Sequence, residues 1–274
     1  MNTTAYKPTI MERILKGNYK WWYYLGHVFK SSTIYRGSTL IYMVGRFLIL
    51  GLTILIWYLN IQAGSNLLSF ETVFTYYIAG SLFSFSSGME WNVGQAIKDG
   101  SLSSSLIKPQ PYFVMAIIGD FGWWLFSNII ETIILLVLIA IGFQFLIVPT
   151  LINLSLFMVL CVISYFIKVM IQIIIGTFAF YLIDINGVMN ITGQLQLYLS
   201  GKALPLNVAG ILLPITVLPW AFTYFYPVQV FLGEYTLIQS LGVIAASLVW
   251  LIVLAGIAKM MFLRGLKKFE SVGL

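Results

Sequence analysis

The sequence predicts an all-α polytopic membrane protein with six transmembrane helices, on the evidence of its composition and the length of its apolar runs. Of 274 residues, 60% are hydrophobic and 9% are charged, whereas a soluble domain carries about 25% charged residues. Several apolar stretches reach the roughly 20 residues that a helix needs to cross the hydrocarbon core. A transmembrane β-barrel would show segments of about 10 residues with alternating polarity, and residues 133–141 do not alternate.

The predicted transmembrane helices follow one another in a single domain over residues 1–274. They are placed at residues 40–59, 72–88, 123–147, within 151–183, 186–204 and 238–262. The fourth run is longer than one crossing requires, so its ends are not fixed by the pattern. The fifth is the weakest of the six in hydropathy.

The distribution of basic residues predicts that both termini are cytoplasmic. Twelve of the fifteen Lys and Arg residues lie in the amino-terminal segment 1–37, in the loop 89–111, or at the carboxyl end, which includes the tail 263–274. Short cytoplasmic loops carry such an excess. The net charge of +6 follows from this asymmetry and from attraction to anionic lipid heads, so it does not indicate nucleic-acid binding.

Three segments do not have the character of a transmembrane helix or a simple loop. Residues 10–29 combine apolar and basic positions with a patch of aromatic residues, which is typical of an interfacial helix. Residues 89–98 repeat apolar positions at helical spacing, and Gly100 can end that helix before a second apolar stripe begins at Leu102. Residues 205–237 hold four prolines, which predict a broken, re-entrant segment on the extracytoplasmic side.

This order of parts resembles the membrane-spanning subunits of ABC-2 type transporters. Two groups of short motifs support the resemblance, and it extends over nearly the whole chain. The first is the run 97–102 (IKDGSL) with Leu106 and Lys108-Pro109 in the cytoplasmic loop; the second comprises Ser200-Gly201, Leu204-Pro205-Leu206, Leu218-Pro219-Trp220, Tyr226-Pro227 and Leu232-Gly233.

The resemblance implies half of a bacterial exporter in the cytoplasmic membrane. A second permease subunit, identical or a sister chain, would complete the pathway, and cytosolic ABC ATPase subunits would bind ATP and Mg. No Gly-x-x-x-x-Gly-Lys-Ser/Thr phosphate loop occurs in this sequence, so we expect no ATPase activity and no cofactor on this chain. The residues expected to couple to the ATPase are Glu90, Val93, Ile97, Asp99, Gly100, Leu102 and Leu106.

Polar residues in the predicted membrane helices are candidates for the translocation pathway. Small residues form one face of helix two, and amides lie near one face of helix five, where lipid contact is unfavourable unless they are hydrogen-bonded. By resemblance these two helices line the pathway, although helix packing stays open as the alternative. The candidates are Ser81, Ser84, Asn186, Asn190 and Gln194.

Three charged residues, Arg46, Glu131 and Lys168, lie in or near the ends of helices one, three and four. Burial of a charge in a membrane is unfavourable by several kcal/mol unless it pairs or reaches water. We expect snorkelling or a structural ion pair first, and substrate contact second. Asp120, which precedes two tryptophans, is expected to be hydrated at the cytoplasmic edge.

Two other function classes are open to such a sequence. An ATP-independent channel or secondary transporter fits the hydropathy, but internal repeats or paired midplane charges are expected for it and no repeat is evident. A membrane enzyme is disfavoured, because the chain has one Cys, one His and no cluster of catalytic residues. The transported substrate does not follow from the sequence.

Overall fold

The computed structural model describes residues 10–64, 67–82, 88–208 and 210–269, and every regular element in these ranges is helical. This confirms the all-α class. The α-helices are α1 (Ile10–Ser32), α2 (Arg36–Gln62), α3 (Phe70–Leu82), α4 (Met89–Lys98), α5 (Ser101–Leu106), α6 (Tyr112–Gly142), α7 (Leu151–Thr177), α8 (Asn186–Leu199), α9 (Phe225–Leu232) and α10 (Leu237–Leu266).

Four helical stretches within the described ranges are long and apolar enough to cross a membrane. They are Thr39–Gln62, Tyr112–Phe145, Leu151–Phe180 and Leu237–Leu266. The predicted second and fifth spans correspond to α3 and α8, of 13 and 14 residues. At 1.5 Å per residue each is about 20 Å long, short of the roughly 30 Å hydrocarbon core. The structure therefore does not confirm six spans.

Helix α7 is the centre of the fold. About three-fifths of its most apolar window is buried inside the protein (61%), against 11% for the window in α2 and 17% for that in α10. It packs against α10, α4 and α9. The exposed faces of α2 and α10 are apolar, as expected for helices that contact lipid or a second subunit.

Helix α6 begins at Tyr112, eleven residues before the predicted start at Trp123, so the sequence prediction of this boundary is wrong. The first turns of α6, residues 112–122, belong to the part of this helix that packs against the amphipathic helix α1. Glycines on α6 allow the close approach: a Cβ at Gly122 would lie 3.1 Å from side-chain carbons of Leu25 and Val28. Phe29 and Phe126 continue the contact edge to face, with ring centroids 5.6 Å apart.

The proline-rich segment is broken into short helical pieces, as predicted. Two 3-10 turns, Gly210–Val217 and Ala221–Thr223, precede α9. Backbone carbonyls freed by the breaks accept side-chain hydrogen bonds: Ser164 Oγ donates to Phe222 O at 2.6 Å and Trp250 Nε1 donates to Val217 O at 3.0 Å. Protein side chains thus satisfy groups that lipid could not.

Candidate functional site

The first candidate site is the pair of short helices α4 and α5, which the sequence predicted around Gly100. Helix α4 ends at Lys98, and Gly100 adopts φ 76°, a left-handed conformation that strains residues with a side chain. The Asp99 carboxylate accepts a hydrogen bond from Ser101 N at 2.9 Å, and hydrogen bonds from Ser101 lower the pKa of Asp99. The turn between the helices is therefore fixed by backbone geometry and by one side chain.

The predicted coupling residues separate into a buried group and an exposed group. Val93, Ile97 and Leu102 are buried in a core that includes Tyr165 and Val169 of α7. They cannot contact another protein directly, because their side chains face inward. Glu90 and Gly100 are half-buried, whereas Asp99 and Leu106 are exposed.

The sequence analysis missed Ile107, which follows Leu106 and is the most exposed apolar side chain of this region. Leu106 is 43% exposed and Ile107 is 86% exposed. Lys108, next in the chain, is also exposed. We call residues 106–108 the α5 tip. An apolar pair beside a lysine, held at the end of a rigid turn, is suited to contact another protein.

Helix α4 is joined tightly to α7 at Gly176. A Cβ at Gly176 would lie 2.9 Å from Glu90 O and from Val93 Cβ, so only glycine permits this spacing without movement of a neighbour. The Glu90 side chain is hydrogen-bonded to Gln172 of α7. Burial raises the pKa of Glu90, although the nearby Lys168 opposes the shift. Helices α4 and α7 are therefore closely packed at this point.

A second connection joins α4 to the segment before α8. Gly94 lies directly under Ile185, and a side chain at Gly94 would overlap it. At the end of α4, Lys98 Nζ lies 3.3 Å from Asp184 Oδ1, and Asp184 also accepts from Asn186 N at 3.0 Å. The α4–α5 region thus contacts both α7 and the segment before α8.

Asp120 is not hydrated as expected; it is 4% exposed inside the protein. Its carboxylate accepts from Gly88 N at 3.1 Å and from Tyr165 Oη at 3.2 Å. Gly88 is the residue before α4, so Asp120 of α6 holds the start of α4 against α7. The expectation of a hydrated Asp120 failed because the start of α6 was misplaced. Asp120 lies within this helix, and its side chain points into the helical bundle.

We expect Asp120→Ala to lower the free energy of unfolding by about 1–3 kcal/mol, because Gly88 N–H and the Tyr165 hydroxyl lose a buried charged acceptor. Thermal unfolding in detergent measures the change. Asp120→Asn, which keeps one acceptor oxygen, should lower the free energy of unfolding by less than Asp120→Ala does. Tyr165→Phe should lower it by less again. Equal stability of Asp120→Ala and the wild type would show that this carboxylate does not hold α4.

The three charges predicted inside the spans lie close to one another. Arg46 Nη1 of α2 and Glu131 Oε2 of α6 form an ion pair at 2.7 Å. Lys168 of α7 interacts electrostatically with both, and also with Glu90 and Asp120. Sequence reasoning expected an ion pair but did not identify the partners, which are 85 residues apart.

Lys202 is the charged residue of this region that the sequence analysis missed. It follows α8 and interacts electrostatically with Arg46, Lys168 and Glu131. Its position between weakly apolar residues after a short helix gave no sequence signal beyond its charge.

Those predicted pathway residues that the structure describes do not come together within this chain. Ser81 is buried in α3, Ser84 lies outside the described residues, and Asn186, Asn190 and Gln194 are exposed on α8. Helix α8 has no buried residue and touches α7 only at a few positions. Its amides therefore face outward from the single chain, not into a helix contact.

A cleft of about 1050 Å³ lies between α1, the start of α2, the α4–α5 region and the first turns of α6. Aromatic side chains from four helices line it: Tyr24, Tyr42, Trp91 and Trp123. Asp120 and Lys108 are also in its wall. The cleft is wide enough for a molecule of drug size or a lipid head group.

Comparison with known proteins gives one match. A family model described as ABC-2 family transporter protein matches residues 40–273. The matched range includes every helix from α3 onward and most of α2. No curated protein and no solved structure matches significantly.

Proposed function

This chain belongs to the ABC-2 transporter family, and on that basis we propose that it is the permease subunit of an ABC exporter in the bacterial cytoplasmic membrane. A separate cytosolic ATPase subunit would bind ATP and Mg and drive it. The observation that carries the proposal is the α4–α5 region: an exposed apolar tip on a helix pair anchored in α7.

In this mechanism the two groups of coupling residues have different roles. Asp99 and the α5 tip contact the ATPase, because they are exposed. Val93, Ile97 and Leu102 transmit the motion, because they are buried against α6, α7 and α10. Closure of two ATPase subunits on ATP would displace α4 and α5, and the close contact at Gly176 would carry the displacement into α7.

We propose six crossings, with α3 and α8 as the second and the fifth. A helix shorter than the hydrocarbon core is accommodated by local thinning of the bilayer or by oligomerisation. Six crossings place both termini in the cytoplasm, in agreement with the basic ends of the chain. The proline-rich segment before α10 would then enter the membrane from the outside.

Cysteine accessibility tests this topology. With the buried Cys161 replaced, Gln144→Cys in the α6–α7 connection should react with an impermeant thiol reagent in intact cells. Ser104→Cys in α5 should react only after the cells are opened, because α5 faces the cytoplasm. Both positions are exposed in the structure. The reverse labelling pattern would invert the proposed orientation.

The proposed pathway lies between two permease subunits, identical or paired with a sister chain. Helix α8 supports this arrangement: its amides are exposed in the single chain although lipid contact would be unfavourable for them. A second subunit would shield them and place Asn190 and Gln194 beside the transported molecule. Ser81 belongs to α3 and its side chain is buried inside the protein. A role in the pathway would therefore need movement of that helix.

Asn190→Leu and Gln194→Leu should alter the ratio of export rates between cargoes and leave thermal stability nearly unchanged, because neither side chain is buried in this chain. Transport by reconstituted complexes and thermal unfolding measure the two quantities. Asn60→Leu, at an exposed amide near the end of α2, is the matched control and should change neither. Lost stability with an unchanged cargo ratio would assign the α8 amides to packing.

Co-expression with an ATPase subunit from the same genome tests the function. The chain should retain the ATPase through purification, and reconstitution into lipid should change its rate of ATP hydrolysis. A chain that transports cargo in vesicles without any ATPase would instead be a channel or secondary transporter.

A further inference from the structure

Helix α10 carries charged residues only toward its carboxyl end. The helix contains no Asp or Glu, and its first charged residue, Lys259, lies about 33 Å from its start at 1.5 Å per residue. The hydrocarbon core of a bilayer is about 30 Å thick. Lys259 therefore reaches the level of the phospholipid head groups, and two further cations, Arg264 and Lys267, follow it.

One face of this end of α10 is fixed against the rest of the protein. Ala258 and Phe262 are buried in the core that α10 shares with α4 and α7. The Phe262 ring packs edge to face on Phe113 of α6, with centroids 4.6 Å apart. A Cβ at Gly265 would overlap the ring of Phe180. These contacts set the rotation of the helix, so the opposite face points away from the bundle.

This outward face has a hollow of about 340 Å³. It is formed by residues that recur every three or four positions along α10 and therefore lie on one stripe of the helix: Gly256, Lys259, Met260, Leu263, Arg264 and Lys267. Met260 and Leu263 are exposed apolar side chains between the cations. A Cβ at Gly256 would meet no atom of the described residues within 4 Å, so this part of the hollow is open.

The charge of the hollow is positive. Its three cations are exposed, and neither of the ion pairs found among the described residues uses any of them. The neighbouring Lys268 differs, because its Nζ lies 5.0 Å from the centroid of the Tyr181 ring. An anionic group is therefore the ligand that the hollow suits by charge.

The same stripe becomes apolar on the other side of Gly256. Val249, Ile252 and Val253 are exposed on it. The distance from Val249 to Lys259 along the helix is about 15 Å, which is half of the hydrocarbon core. An apolar track one leaflet deep that ends in cations matches the order of acyl chain and phosphate in a phospholipid.

We propose that this stripe of α10 binds an anionic phospholipid, with its phosphate between Lys259 and Arg264 and an acyl chain along Val249 and Ile252. Arg264 supplies a planar set of donors for phosphate oxygens, and the lysines supply point charges. Gly256 leaves room for the glycerol part. The assignment to the cytoplasmic leaflet rests on the proposed orientation, whereas binding itself requires neither that orientation nor the ATPase.

Photolabelling of the purified full-length chain in phosphatidylcholine vesicles tests the proposal. The probes are phosphatidylglycerol and phosphatidylcholine with the same photoreactive group in one acyl chain, added at the same small mole fraction. Mass spectrometry measures the labelling of residues 249–256. Phosphatidylglycerol should label them at least about tenfold more, because each basic residue near an anionic lipid strengthens binding by about a factor of five.

Charge variants separate a defined site from general attraction to an anionic surface. Lys259→Gln and Arg264→Gln should each lower labelling by phosphatidylglycerol about fivefold and leave labelling by phosphatidylcholine unchanged. Lys259→Arg should retain the wild-type labelling. Lys268→Gln is the matched control: it removes the same charge from the same end of the chain, at a side chain that faces Tyr181, and should leave the labelling nearly unchanged.

A pair of glycine variants tests the shape of the hollow. Gly256→Leu should remove the preference for phosphatidylglycerol, because the leucine side chain occupies the place of the glycerol part. Gly242→Leu, at another open glycine of α10, should retain the preference. Both variants should keep the wild-type unfolding temperature, since a Cβ at either position meets no described atom within 4 Å.

Equal labelling of residues 249–256 by the two lipids, or an equal loss in Lys259→Gln and Lys268→Gln, would overturn the proposal. A stripe that serves as a contact for the ATPase would show no lipid preference in the free chain, which also contradicts it. ATPase retention measured on the same variants separates this proposal from the functional one. A chain that selects phosphatidylglycerol but retains no ATPase contradicts the proposed exporter and leaves the lipid site in place.

Discussion

Arg46→Leu should destabilise the protein strongly, by about 3–5 kcal/mol, because it leaves the Glu131 carboxylate buried without its ion-pair partner. The pair joins α2 to α6 at 2.7 Å, and Glu131 is among the least exposed charged side chains of the described residues. Thermal unfolding in detergent, followed by the fluorescence of the tryptophans, measures the loss.

The double variant Arg46→Leu with Glu131→Leu should recover part of that stability, because it also removes the carboxylate that the single variant leaves without its ion-pair partner. Recovery is incomplete because Lys168 and Lys202 lose the attraction of Glu131. Lys98→Leu is a second comparison: its partner Asp184 is exposed, and such surface pairs contribute about 0–1 kcal/mol. A similar loss in Arg46→Leu and Lys98→Leu would contradict the structural role of the Arg46–Glu131 pair.

Substitution of the α5 tip should have the largest effect on assembly. Leu106→Asp with Ile107→Asp is expected to abolish ATPase retention during co-purification and to leave the thermal unfolding temperature nearly unchanged. The reason is that both side chains are exposed in this chain but would be buried against the ATPase. A charge placed without a partner in an apolar contact is unfavourable.

Two further variants make this result interpretable. Val148→Asp introduces an aspartate at an exposed apolar residue in the connection between α6 and α7 and should leave ATPase retention intact. Leu102→Asp changes a fully buried residue and should lower stability itself. Retention of the ATPase by the Leu106→Asp, Ile107→Asp variant would show that the tip is not the contact.

The sequence predicted the α4–α5 region well because its signals are local. Apolar spacing set the helix from Met89, and a glycine in the left-handed conformation ended it at the predicted place. The broken proline-rich segment was predictable for the same reason. The all-α class and the apolar spans follow from the overall composition, to which every residue of the chain contributes.

The remaining features depend on contacts between distant parts of the chain. The start of α6 was misplaced because Gly119, Asp120 and Gly122 interrupt the apolar run in the sequence, whereas in the structure these two glycines lie against side chains of α1. That error hid the role of Asp120. The pairing of Arg46 with Glu131 and the approach of Lys202 to both bring together residues far apart in sequence, and no pattern in one sequence specifies such contacts.

Site-specific cross-linking tests the account most directly. In the Cys161-replaced protein, Ile107→Cys carrying a short photoreactive group should cross-link to the co-expressed ATPase, and Gln144→Cys should not. The yield should change on addition of ATP and Mg, since closure of the ATPases displaces α5. Cross-linking from Gln144→Cys, or none from Ile107→Cys in a complex that retains its ATPase, would contradict coupling through the α5 tip.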